Sequence, residues 1–413
     1  MKKYVLAGAS QRAYGMFAKP LVNELKDFAS VEGVYDINPI RSEILGKDFG
    51  VPVFYDFDIM LKTVKPDIVI VTTIDAFHHE YIIKSMEAGC DVITEKPMTI
   101  DAPKVRAILE TERKTGKKVH VTFNYRFIPF VTRIKELLSS GLIGQIYSVD
   151  FEWLLDRNMD ISAHGTSYFR RWNRYLQKSG GLLVHKSTHH FDLINWWIGE
   201  RPVEVSAFGK LRRYGRNGSF RGERCMTCKH KKECEFYWDI TKNEFEMAYY
   251  VGAEGKDGYF KDSCVFAENI DIYDTMSVGI QYDGGALLTY SLNAHCAYEG
   301  WKMSINGSNG RLEAEITETG ILSHGLTNKI RYFDLKDGVT TYEVPIIRDG
   351  HGGGDAKLRR MLFAGDVPDP LGHQATSVDG AYSVLIGAAA NVSIRDKQIV
   401  NIRKLLGDES LLD

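Results

Sequence analysis

A chain of 413 residues is too long for one ordinary core, so two domains are expected. With 44% apolar and 26% charged residues it has the surface to build a sizeable core without disulfide stapling. A formal net charge of −2 excludes a broad cationic face for nucleic acid, and no apolar run is long enough to span a bilayer.

The opening Met1-Lys2-Lys3 resembles the start of a signal peptide. The apolar run after it stops at Ser10-Gln11-Arg12, however, with no cleavage pattern, and six cysteines in so long a chain are no secreted framework. The chain is read as cytoplasmic.

Residues 3–8 make a short apolar strand ending in glycine, and 16–28 carry apolar side chains at helical spacing. Residues 31–35 form a second strand closed by Asp36, followed by a helix over 41–49. The run 67–73, DIVIVTT, follows Pro66 and is continuously apolar, as a parallel strand buried on both faces must be. Residues 79–88 are helical up to Gly89, 91–94 are a strand, 101–115 an amphipathic helix, and 118–123 a last strand. This alternation predicts a doubly wound parallel sheet over residues 1–123.

Beyond Asn124 the period changes. Tyr147, Val149, Phe151 and Trp153 alternate with polar residues, as do Met276, Val278, Ile280 and Tyr282. Strand-like runs follow at 286–292, 302–306 and 311–315, separated by the turns Asp283-Gly284-Gly285 and Asn309-Gly310. Period two with tight turns predicts a large, mainly antiparallel sheet with one open face. The second domain is therefore α+β over 124–375, with an insertion at 211–267. A C-terminal helix and tail over 376–413 pack back near the first domain.

The first strand runs into Gly8-Ala9-Ser10-Gln11-Arg12-Ala13 and a helix. A dinucleotide site needs such a turn, so that backbone N–H groups at a helix start face the pyrophosphate. Gly8 takes the first glycine position, Ser10 the second and Ala13 the third, which is a weak signal alone. Asp36 adds to it: a carboxylate there accepts from a ribose 2′-hydroxyl and repels a 2′-phosphate, which favours NAD. Arg41 lies close enough to serve a phosphate, so NADP stays open.

Four motifs stand in order: the Gly8 turn, Thr73-Ile74-Asp75-Ala76-Phe77-His78, Glu95-Lys96-Pro97, and Gly180-Gly181 followed by His189 and Asp192. The series resembles the glucose-fructose oxidoreductase, inositol dehydrogenase and rhizopine-catabolism (Gfo/Idh/MocA) family along nearly the whole chain. The resemblance implies a Rossmann domain with Gly8, Ser10, Gln11, Arg12, Asp36, Thr73, Asp75, His78, Glu95 and Lys96 on the cofactor. It implies that Lys96 lies near the nicotinamide, after a bend at a cis proline. A second positive charge is disfavoured there, so its pKa should fall to a usable range. His189 matches the family's catalytic histidine, which takes the hydroxyl proton, and Asp192 shares its helix face.

Two departures stand out. Many relatives carry aspartate four residues before the histidine, where this chain has His185; His185 is read as assisting the proton or binding substrate. Asp75 and Ile74 replace the asparagine and proline of the family's Thr-Pro-Asn-x-x-His loop. Asn124 and Arg126 match a substrate-lining segment, with a structural ion pair the equal alternative for Arg126. The substrate site is thus read as Lys96, Asn124, Arg126, His185, His189 and Asp192. The resemblance also implies a homodimer or homotetramer.

Cys225-x-x-Cys228, Cys234 and Cys264 sit in the insertion. Their spacing suits a closed four-thiolate structural zinc site, against free thiols as the plain alternative. His351-Gly352-Gly353-Gly354-Asp355 is read as a flexible loop near the cleft, with His351 able to touch substrate. It is no hydrolase motif, because Gly-x-Ser-x-Gly is absent from the sequence.

The expected activity is NAD(P)-dependent hydride transfer at a secondary hydroxyl of a sugar or polyol, with no nucleic-acid or membrane partner. One rival is a glycosidase or lyase that oxidises the sugar transiently and releases no net NADH. Another is a non-catalytic sugar or nucleotide sensor, which retention of Lys96 and His189 opposes.

Overall fold

The apolar run after Pro66 sits at the centre of the first domain, in a computed structural model that describes residues 1–157, 164–320 and 323–413. Strands β1 (Lys2–Ala7), β2 (Ala29–Tyr35), β3 (Val53–Phe54), β4 (Ile68–Val71), β5 (Asp91–Thr94) and β6 (Val119–Val121) are parallel. All four residues of β4 are buried, because helices cover both faces of the sheet. The spatial order is β6, β5, β4, β1, β2, β3, with the short strand Ala375–Thr376 added antiparallel outside β6. The order reverses between β1 and β4. A crevice opens at the carboxyl ends of strands at such a switch point.

The helix expected over 16–28 starts earlier and stops sooner. Ala13–Ala18 is wound wide, as a π-helix, and continues as an α-helix over Lys19–Asn23. The chain then turns, with the Leu25 N–H donating to the Pro20 carbonyl, so that Ala29 can pair with Lys2 at the start of β2. Periodicity alone could not find that end, because Leu25 and Phe28 extend the apolar spacing through the turn.

The second domain is built on β7 (Ile146–Asp156), β8 (Pro202–Lys210), β9 (Thr275–Tyr282), β10 (Leu287–Cys296), β11 (Gly300–Gly307), β12 (Gly310–Thr317), β13 (Thr327–Asp334) and β14 (Val339–Pro345). Their order is β14, β13, β12, β11, β7, β10, β9, β8, with Val400–Asn401 beyond β8. Among the described residues, only β7 and β10 pair in parallel here. The sheet is otherwise antiparallel, as the alternation predicts. Along β9 exposed and buried residues alternate strictly, leaving one face open to solvent.

The helix Ser377–Asp396 joins the two halves. It begins in a capping box between Thr376 and Asp379. It packs against β8 and against the helix Ala102–Thr115 and β6. Close approach needs small residues: a Cβ at Gly387 would stand 2.4 Å from the Leu183 carbonyl oxygen. Among the described residues, no helix is long and apolar enough to cross a membrane.

Candidate active site in the crevice between the domains

Gly8 ends β1 with φ +103°, and a Cβ there would stand 2.8 Å from the backbone of Thr72 and Thr73. Only glycine lets the ends of β1 and β4 approach this closely. Past it, Ser10 Oγ accepts from the Ala13 N–H at 3.2 Å and caps the turn. The Asp36 carboxylate accepts from the Ala9 and Asn38 N–H groups, both at 2.7 Å. Arg41 stands 3.6 Å from Asp36 and pairs with Asp257. Arg12 donates from Nε to Glu95 at 2.8 Å and from both terminal nitrogens to Asp355 at 3.2 Å. Arg12 and Glu95 thus reach the turn from two sides and are held by each other. A strand-order switch point, a glycine turn and a carboxylate at the end of β2 fit a dinucleotide.

Glu95-Lys96-Pro97 follows β5, and the Lys96–Pro97 bond is cis. His78 lies between the Pro97 carbonyl at 2.9 Å and the Thr73 carbonyl at 3.0 Å. It ties the two loops together and positions Lys96. Burial lowers its pKa, so the neutral ring donates to one of the two. Lys96 Nζ donates to the His185 carbonyl at 2.9 Å. Burial, then the positive charge of Lys186, brings its pKa down to about 7, against the pull of Asp75 and Glu95.

The two departures from the family pattern meet here. His185 Nδ1 stands 2.5 Å from Asp75 Oδ2. Burial pushes the Asp75 carboxyl well up and the His185 imidazole well down. Asp75, expected on the cofactor, is engaged by His185.

Four residues after His185, His189 is buried and stacks on Tyr125 with ring centroids 4.0 Å apart. Burial, then Lys96 and Lys186, lower its pKa well below the usual value. Its Nδ1 has no partner among the described residues.

Two expected substrate residues turn inward. Arg126 and Asp192 are 2% and 1% exposed and form a two-point pair at 2.8 and 2.5 Å. Arg126 also donates to Asp379 and to the Gly372 carbonyl. Burial alone would lower the Arg126 pKa; Asp192 and Asp379 overcome that and push it up. The structural ion pair is the alternative the molecule adopts, and the substrate reading of both residues is corrected. Asn124 donates to Asp355 at 2.6 Å, and its own Oδ1 is buried without a partner among the described residues.

Residues 2–123 match the family model described as "Oxidoreductase family, NAD-binding Rossmann fold", and 135–402 the one described as "Oxidoreductase family, C-terminal alpha/beta domain". The chain belongs to the Gfo/Idh/MocA oxidoreductase family. It is 40% identical to the protein YteT of Bacillus subtilis (strain 168), over 98% of this chain and 99% of that one. It is 30% identical to D-glucoside 3-dehydrogenase of Escherichia coli (strain K12), over 43% of this chain and 50% of that one. A crystal structure of an oxidoreductase from Agrobacterium radiobacter, in complex with NAD+, L-tartaric acid and magnesium, shares the fold. Its TM-score is 0.65 at 16% identity, over 98% and 99% of the two chains.

In this Gfo/Idh/MocA chain the cleft holds residues that motif reading missed. Lys186 is buried, donates to the Tyr125 hydroxyl at 3.1 Å and lies over the Tyr125 ring. Tyr168 and Trp172 each stand edge-on to His185, at 5.5 Å. Position 186 had no helical signal, since it stands just before Ser187, the N-cap of the helix that carries His189. The aromatic pair had none, because short helices over Ser167–Arg170 and Trp172–Arg174 bring it in from a distant segment.

The loop expected over His351–Asp355 forms a short turn leading into the helix Gly354–Phe363. His351 Nδ1 stands 2.9 Å from Asp355, so the carboxylate that Arg12 and Asn124 share fixes the ring. Among the described residues, Cys225, Cys228, Cys234 and Cys264 are free thiols lining one small cavity with Arg170, Phe220 and Phe236. Arg170 lies 3.0 Å from the Cys225 sulfur. The thiols gather, but among the described residues no three or more His, Cys, Asp or Glu side chains stand as a ready metal cage.

Proposed function

We propose that this oxidoreductase is an NAD-dependent dehydrogenase of a secondary hydroxyl on a sugar, sugar derivative or polyol. One observation supports the reading: Lys96, held to the His185 carbonyl, is near enough to the buried, neutral His189 for its charge to help lower that imidazole's pKa. The names of the D-glucoside and inositol dehydrogenases among its relatives support the substrate class. NAD is favoured over NADP because Arg41, the nearby candidate for a 2′-phosphate, is bracketed by Asp36 and Asp257.

Gly8, Ser10, Gln11 and Asp36 would hold the dinucleotide, with Lys96 facing its nicotinamide; when bound, it supplies the acceptor for the hydride leaving the carbinol carbon. The hydroxyl proton goes to His189, whose ring burial keeps neutral. Lys96 donates a hydrogen bond to the same oxygen. Its low pKa limits charge repulsion against the oxidised ring. Asp75 fixes His185, and through its carbonyl His185 fixes Lys96. Trp172 offers an apolar face to a sugar ring, and Lys186 a donor to a hydroxyl.

The cysteine cavity is proposed as a structural zinc site, on the proximity and donor chemistry of its four thiols.

The test of the activity is incubation with NAD and a panel of sugars, glycosides and polyols. NADH should accumulate in proportion to product with at least one of them. Release of an aglycone from chromogenic glycosides without net NADH would overturn the reading in favour of transient oxidation.

A further inference from the structure

The insertion between β8 and β9 does not project into solvent. It folds back onto the phosphate turn of its own chain. The Tyr249 hydroxyl donates to the Ala9 carbonyl at 2.8 Å. The Gln11 N–H donates to the Tyr250 hydroxyl oxygen at 3.3 Å. Lys261 Nζ donates to Gln11 Oε1 at 2.9 Å and to Glu246 at 2.8 Å. Further out, Asn38 Nδ2 donates to the Ala253 carbonyl at 2.9 Å, Arg41 pairs with Asp257, and Tyr14 packs edge-on to Phe245 and Tyr249. On the first domain these interactions fall on residues 9–41, and on the insertion their partners lie between 245 and 261.

Two of these groups are poised for an anion. Tyr250 is 9% exposed, and its oxygen already accepts from Gln11. A phenol has one proton to donate, and among the described residues no acceptor stands opposite it. Lys261 is 7% exposed, and its ammonium sits 3.8 Å from the centre of the Tyr250 ring. An ammonium has three protons; Gln11 takes one, and Glu246 faces Nζ with both carboxylate oxygens, at 2.8 and 2.6 Å, so an anion would share the ammonium with Glu246. Both groups converge on Gln11, whose N–H belongs to the turn that faces a pyrophosphate.

We infer that the stretch 245–261 is a strap over the dinucleotide, with the Tyr250 hydroxyl and the Lys261 ammonium as added ligands of its pyrophosphate. The inference rests on the dinucleotide reading given above. The cofactor is then gripped from both domains of one chain and leaves slowly. The strap is tied to the thiol cavity at its middle and just past its far end: Arg224, next to Cys225, pairs with Glu254 and Asp262, and Asp262 accepts from the Met226 N–H.

Equilibrium titrations of the full chain with NADH, ADP-ribose and adenosine test it, together with stopped-flow release of NADH. Tyr250→Phe removes only the phenol hydroxyl. Lys261→Met is made together with Glu246→Gln, so that no buried carboxylate is left unpaired. Each variant should bind NADH and ADP-ribose about tenfold more weakly and release NADH faster. Adenosine, which has no phosphate, should bind all three proteins alike, which shows that the adenosine end of the site is intact in the variants. If wild type binds NADH and both variants bind it within twofold as tightly, the strap is wrong and the dinucleotide reading stands. Should wild type bind neither NADH nor ADP-ribose, both fall together.

Discussion

Lys96 is the residue whose chemistry the tertiary structure changes most. An exposed lysine is charged at neutral pH; burial with Lys186 nearby brings Lys96 to about 7. The groups facing it are Lys186 and Arg12 on the positive side and Asp75 and Glu95 on the negative, with the neutral His185 and His189 beside them. As pH rises through about 7 the ammonium loses its proton, so repulsion of the oxidised nicotinamide falls. kcat/KM for carbinol oxidation should therefore climb across that range and level off above it. Lys96→Met should lose about 10²–10⁴-fold in kcat at every pH, together with the limb near neutrality. A profile that is flat from about pH 6 to 8 in wild type would mean that the Lys96 charge does not govern the reaction. The neighbouring pair was only half legible. Asp75 and His185 each read as a departure, but they are 110 residues apart, and nothing along the chain says that they touch.

At the level of elements, the pair Arg126–Asp192 joins a turn after β6 to the helix Thr188–Ile198, and Asp379 brings in the start of the helix Ser377–Asp396. Three elements share one guanidinium. Removing it leaves a buried carboxylate without its partner, which costs about 3–5 kcal/mol. Urea unfolding of Arg126→Leu should show a loss of that size, while Arg126→Leu with Asp192→Leu should recover part of it. Equal losses in the single and double variants would mean the pair does not act as a unit. The long helix Ala102–Thr115 was plain in the sequence: Asp101 caps it by accepting from the Lys104 N–H, and Gly116 ends it in the left-handed conformation. The partner of Arg126 was not plain, since a guanidinium in a motif reads equally well as ligand or brace until its surroundings are known.

On the scale of the whole molecule, the insertion has little regular structure of its own and depends on what it lies against. Ion pairs from Arg224 and the thiol cavity hold it together, and the first domain receives it. A zinc ion in that cavity would add to the small aromatic cluster of Tyr214, Phe220, Phe236 and Phe266 that the insertion packs beside it. Elemental analysis should find about one zinc per chain, and a strong chelator should lower the melting temperature. Metal-free protein whose melting is unmoved by Cys228→Ser would leave the cysteines as free thiols. By itself the sequence determined the two-domain architecture, the parallel and mainly antiparallel sheets and the order of the motifs, because period, turn residues and caps act within a few neighbours. Tertiary structure alone decided which charges face each other: Asp75 with His185, Arg41 with Asp257, Lys261 with Glu246. Electrostatics and burial depend on distance through space, and residues far apart along the chain acquire that distance only when it folds.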